Sequence, residues 1–185
     1  MVKYPYYLDR RLTILGKINL AEAVKLKSIM TKMIHELEDE IRRVAFTTIE
    51  KGELPEKPIR NVQQVDDELD VVRKDARLLD RLMYRANIDH TISFKNEELT
   101  IVEAIELATQ LRAKARLYKE LGTAVKEEFQ YGMSEHTSIY QIALFEPEDY
   151  RKKAIQIERD AHKLSNIINA KNYSIILDFD DENYF

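Results

Sequence analysis

The sequence predicts a mainly α-helical fold: two tandem antiparallel helical hairpins, four long helices with coiled-coil-like seams, and a small β element from loops and tails. Three observations carry this expectation. Of 185 residues, 34% are charged while only 4 are Gly and 4 are Pro, which suits long solvated helices and leaves too few turn formers for a sandwich or barrel. Apolar residues recur at alternating intervals of three and four, the mark of a helix that buries one narrow stripe. The whole pattern then occurs a second time, which points to an internal repeat.

The first helix starts after Asn19, a side chain suited to accept from the free N–H groups of a first turn. Its seam reads Leu20, Ala23, Met30, Ile34, Leu37, Ile41 and Val44, with Lys27 as the one break. It is expected to reach Lys51-Gly52, where glycine can take a left-handed cap, before Pro55 and Pro58 forbid continuation. The second helix is the clearest: Val62, Val65, Leu69, Val72, Ala76, Leu79, Met83 and Ala86 follow a three-four series without a gap. After an interruption at Ile88 to Phe94, a third segment carries Ala104, Ala108, Leu111, Ala115, Tyr118, Gly122, Val125 and Phe129. The fourth carries Tyr150, Ala154, Ile157, Ala161, Leu164 and Ile168.

A shift of 81 residues lays the first seam on the third, Ala23 on Ala104 and Leu37 on Tyr118, and Leu20 to Leu26 falls on Ile101 to Leu107 with the Glu-Ala pair shared. A shift of 85 lays Val65 on Tyr150, Leu79 on Leu164 and Asn87 on Asn172. The expected organisation is an N-terminal extension at 1–18, a first hairpin at 19–90, a second at 91–177 with short strands, and an acidic tail at 178–185. Thr137 to Phe145 and Tyr173 to Phe179 read as strands because β-branched and aromatic residues cluster there; Arg11 to Leu15 and Thr91 to Phe94 are weaker candidates for the same small sheet. The ends differ in charge: residues 1–18 carry a net +3 and residues 173–185 a net −4.

Chemistry is sparse. With no Cys, thiol catalysis, disulfides and cysteine-held metals are excluded. There is no glycine-rich phosphate loop, dinucleotide fingerprint or nucleophile elbow. Glu36 with Asp39, and Glu103 with Glu106, have the spacing by which helical nucleotide hydrolases hold magnesium, but chance placement of 33 acids predicts about six such pairs. His35, His90, His136 and His162 all miss the Glu-x-x-His spacing of di-iron bundles: Glu158 is four before His162 and Glu135 adjoins His136. Arg73, Lys74, Arg77, Arg81 and Arg85 could form a basic face, yet Asp66, Asp67, Asp70, Asp75 and Asp80 interleave with them, so an ion-paired surface is expected rather than a nucleic-acid site. Tyr4, Tyr6 and Tyr7 beside Arg10 and Arg11 suit packing on a neighbouring surface. Gly122 reads as a point of close approach. No catalytic, cofactor-binding or metal residue is assigned.

Taken in order, Leu20 to Val24, Asn87, Leu99-Thr100, Glu103 to Ile105, Ile139 to Phe145 and Asn172-Tyr173 give the chain a resemblance to the septicolysin-like family of bacterial helical proteins. The likeness covers most of residues 19–177; the chain departs from it in the N-terminal segment, the acidic end and Tyr173, where the family carries Trp. It implies a helical fold and an oligomer, and it carries no site residue over. The lysin in the family name fits poorly with helices so heavily charged outside their seams.

The functional expectation is therefore a non-catalytic structural or interaction protein, cytoplasmic and without cofactor, self-assembling as a homo-oligomer through its helical seams. Neither nucleic acid nor membrane is expected as a partner. The alternatives are a metal-dependent nucleotide hydrolase using Glu36, Asp39, Glu103 and Glu106, or a membrane-active septicolysin-like lysin.

Overall fold

In the computed structural model, residues 16–130 and 138–184 are described. The strand candidate Arg11 to Leu15, the N-terminal tyrosines, Thr137 and His136 lie outside them. The chain is mainly helical, and its described residues form three separate two-stranded antiparallel sheets where one small sheet was expected. It divides into two compact units, residues 1–86 with 172–185, and residues 87–171. No helix among the described residues is long and apolar enough to cross a membrane.

The first unit holds β1 (Lys17–Asn19), α1 (Leu20–Val44), most of α2 (Val62–Asp89) and β6 (Ile176–Asp178), with β1 pairing β6. Asn19 does cap α1: its Oδ1 accepts from the Glu22 N–H at 2.9 Å and the Glu22 carboxylate accepts from the Asn19 N–H, a reciprocal closure of the first turn. Asn61 and Gln64 do the same for α2, at 2.9 Å each way. On α1 the core residues are Leu20, Ala23, Leu26, Met30 and Leu37. Leu26, one place before the break at Lys27, takes the seam position, so the three-four series continues inside. Lys27 instead reaches Asp80 on α2 at 2.5 Å, and this hydrogen bond raises its ammonium pKa. On α2 the core residues Val65, Leu69, Val72, Leu79 and Ala86 are all members of the expected seam. Each buried Leu or Val stabilises by roughly 1.5–3 kcal/mol.

Helix α1 stops at Val44, short of the expected Lys51; residues 45–61 are irregular. Arg42 and Arg43 already favour the negative end of the helix dipole there. Past them Thr47, Thr48 and Ile49 are β-branched, disfavour helix and find no seam to fill. The tail after β6 is tied down: Phe179 is buried, and the Tyr184 hydroxyl donates to Asp75 at 2.7 Å.

The second unit holds β2 (Thr91–Phe94), β3 (Glu97–Thr100), α3 (Ile101–Gly122), β4 (Glu127–Gln130), β5 (Ile139–Ile142) and most of α4 (Pro147–Ser174). Strands β2 and β3 form a hairpin turned by Lys95 (φ 49) and Asn96 (φ 68), two adjacent left-handed residues as a type I′ turn requires. Thr100 and Glu103 close the capping box of α3. Its core is Ile101, Ala104, Ala108 and Ala115. Val125 and Phe129 are not helical as expected: α3 ends at Gly122, and Phe129 belongs to β4 and stacks edge-on with Tyr140 of β5 at 5.5 Å. Gly122 is a close approach, since a Cβ there would lie 2.9 Å from the Arg151 backbone of α4. Pro147 opens α4, where its missing N–H costs nothing. Ala154, Ala161, Leu164 and Ile168 are buried along it. Tyr173 is the penultimate residue of α4 rather than the first of a strand, and β6 is correspondingly shorter than Tyr173 to Phe179.

The two sequence shifts also match structural detail. Under them β1 and β6 map onto β3 and β2, and the register carries over: Ile18 faces Leu177 as Leu99 faces Ile92, and Asn19 faces Ile176 as Thr100 faces Thr91. The Leu20 N–H donates to the Ile175 carbonyl at 2.9 Å, as that of Ile101 does to His90 at 3.0 Å. Helices α2 and α4 begin and end at corresponding residues.

Candidate functional site

Each carboxylate nominated by spacing is engaged on its own helix. Glu36 lies 3.4 Å from Lys32 and Asp39 lies 2.5 Å from Arg42 on α1. Glu103 closes the α3 cap, and hydrogen bonds from Thr100 hold its carboxyl below the usual range. Glu106 accepts from Gln110 at 2.9 Å. Among the described residues no group of three or more His, Asp or Glu side chains is gathered to hold a metal ion. His35 is exposed, 3.8 Å from Glu38. On α2, Arg73 is paired across to the neighbouring helix more closely than along its own: it lies 2.7 Å from Glu38 of α1 but 4.0 Å from Asp70, while Asp80 and Asp75 serve Lys27 and Tyr184.

Two acidic positions matter more, and helical spacing does not mark them. Asp160 on α4 is the buried charged side chain of the described core, 8% exposed, and it accepts from Lys95 Nζ and, at 3.3 Å, from Gln156. The strained turn places Lys95 for that contact. The shift of 85 carries Asp75 onto Asp160, and each acid receives a donor from the chain that follows the corresponding strand, Tyr184 after β6 and Lys95 after β2. Burial and then the Asp75 carboxylate push the Tyr184 phenol well above its ordinary value. These pairs lock strands to helices. The signal available in sequence was the Asp at equivalent positions of the two repeats.

The second unit also carries a groove of about 340 Å³ between α3 and α4. Its floor is Ala115 and Ala161, both buried, where small side chains leave a depression. Arg112, Arg116 and Lys119 line it from α3, Glu158 and His162 from α4. Arg112 donates to Ser165 Oγ at 2.6 Å, and Ser165 in turn donates to the Ala161 carbonyl at 2.8 Å. Lys119 lies 2.7 Å from Glu158, whose carboxyl it holds below the usual range. A smaller depression of about 210 Å³ continues from Arg112 past Ile105 and Ile168.

No protein-family model matches the chain, and no curated protein matches it. Among solved structures, the crystal structure of a functionally unknown conserved protein from Corynebacterium diphtheriae is similar, with TM-score 0.63 at 23% identity over 88% of this chain and 99% of that one. That likeness is one of fold.

Proposed function

We propose that the protein is a non-catalytic structural or interaction protein, two tandem antiparallel helical hairpins that associate with a second copy of the chain. Contacts support the hairpins: Lys27 meets Asp80 while Glu38 meets Arg73, so advancing along α1 means retreating along α2. On α3 and α4, Arg112 meets Ser165 while Lys119 meets Glu158, again in opposite directions. The resemblance to septicolysin-like proteins belongs to the same proposal.

The observation that carries self-association is the β4–β5 hairpin. Its strands pair only with each other among the described residues, and an isolated two-stranded sheet is marginal in water. Its root is fixed, since Phe145 and Tyr118 both pack edge-on against Tyr150. Beyond that root Phe129, Ile139, Tyr140, Ile142 and Leu144 all remain about half exposed or more. Many seam residues, among them Met30, Leu69, Leu79, Ala108 and Leu164, are buried within their units, so this hairpin offers the more exposed contact. The two edges differ: β4 carries Glu127 and Glu128, whereas β5 reads Ile-Tyr-Gln-Ile without charge. Like acids opposite one another disfavour β4 against β4; β5 against its own copy meets no such penalty and completes a four-stranded antiparallel sheet about a two-fold axis.

Analytical ultracentrifugation of the full chain at micromolar concentration is expected to show a dimer, and Tyr140→Glu/Ile142→Glu a monomer with unchanged helical circular dichroism. A wild-type chain that sediments as a strict monomer, or a variant that stays dimeric, overturns the proposal.

A further inference from the structure

We infer that the groove between α3 and α4 of the second unit is a binding site for a linear polyanion of the di- or triphosphate class, its cations supplied by Arg112, Arg116 and Lys119. These residues follow one another at i, i+4 and i+7, one stripe on one face of α3. Arg112 and Lys119 are separated along the axis by about 10 Å. A single phosphate group cannot touch both, whereas a chain of two or three can run between them past Arg116. Arg112 is held from behind by Ser165, itself anchored on the α4 backbone, so one guanidinium edge is fixed before any ligand arrives. Arg116 has no ion-pair or hydrogen-bond partner among the described residues, and it offers its fork for bidentate contact with phosphate oxygens. The one carboxylate in the lining, Glu158, is paired with Lys119, and Arg112 and Arg116 leave the groove a surplus of two positive charges.

The first unit provides an internal control. The repeat shifts carry Arg112, Arg116 and Lys119 onto Thr31, His35 and Glu38, and Glu158 onto Arg73. There the bridge exists with its charges exchanged, Arg73 donating to Glu38 at 2.7 Å, and none of the three matching positions on α1 holds Arg or Lys. The basic groove is therefore a property of the second copy and not of the hairpin architecture. Its volume lies at the lower end for small-molecule sites, about 300–1,000 Å³.

The test is isothermal titration of the full chain at low ionic strength with sodium orthophosphate, pyrophosphate and tripolyphosphate. Saturable one-site binding of the two longer anions is expected, at least about tenfold tighter than orthophosphate. Arg116→Gln should weaken it about tenfold. Arg77→Gln, on the first-unit counterpart of His162, changes net charge equally and should leave binding unaltered. Absence of saturable pyrophosphate binding, equal affinity of Arg116→Gln and wild type, or an equal loss in Arg77→Gln overturns the assignment, the last by showing diffuse charge attraction. Because Arg116 makes no hydrogen bond or ion pair among the described residues, its variant is expected to keep the wild-type circular dichroism, which separates lost binding from lost structure.

Discussion

Replacing Lys95 by Asn separates a buried charge from its partner without disturbing the turn that carries it. Lys95 occupies a left-handed conformation, φ 49, which Asn tolerates better than Lys, so the backbone alone would gain less than about 1 kcal/mol. Against this stands the charge-assisted hydrogen bond to Asp160. Such bonds contribute about 1.5–3 kcal/mol, and leaving a buried ion without its partner costs about 3–5 kcal/mol when both are fully enclosed. Here Asp160 is 8% exposed but the Lys95 side chain is 58% exposed, and Gln156 still donates at 3.3 Å. The lower range applies, and the expected net loss is about 1–2 kcal/mol. In a chain of this length that lowers Tm by about 3–6 °C. Urea denaturation followed by circular dichroism reads the same loss as a lower midpoint. Asp160→Asn removes the buried charge itself and leaves Lys95 in solvent, so it should cost less than Lys95→Asn. A Lys95→Asn protein as stable as wild type, or a larger loss in Asp160→Asn, would refute the reasoning that burial of the carboxylate sets the energy.

Two further substitutions probe the packing. Gly122→Ala should gain about 1 kcal/mol of helix propensity but lose more, because its Cβ would sit 2.9 Å from the Arg151 backbone; a net loss of about 1–2 kcal/mol in urea unfolding is expected, and a stabilised variant would show that α3 and α4 can move apart freely. The Tyr184 phenol titrates above its ordinary value of 10.0 in the folded chain, so above pH 10 the unfolded chain releases a proton that the folded one keeps. Its contribution is fully present below that pH and is lost as pH rises toward the folded-state value. Unfolding midpoints measured across the alkaline range should fall less steeply in Tyr184→Phe than in wild type; identical slopes would exclude the Asp75 contact as their cause.

Helix α2 was legible up to its last turn, which runs on through Ile88 to Asp89, because little but its own spacing was needed: one residue in three or four must leave water, and Val65, Leu69, Val72, Leu79 and Ala86 of the expected seam are the ones that do. The caps at Asn19 and Thr100 are equally local. The ends of α1 and α3 were not legible, since heptad spacing persists by chance beyond the point where a partner helix stops covering it. At Lys27 the period misled by one residue, and only the facing Asp80 shows why Leu26 goes in and the lysine stays out.

By itself, the order of residues determined that this chain would be helical, that its design is stated twice, and which stripes would leave water, because hydrophobic period, capping and repeat are properties of neighbours along the chain. Tertiary structure alone decided that Asp160 takes Lys95 and Asp75 takes Tyr184, that β1 finds β6 at the far end of the sequence, and that Arg112, Arg116 and Lys119 gather over a floor of two alanines. Those outcomes depend on distances between residues remote in sequence, and no local spacing encodes them.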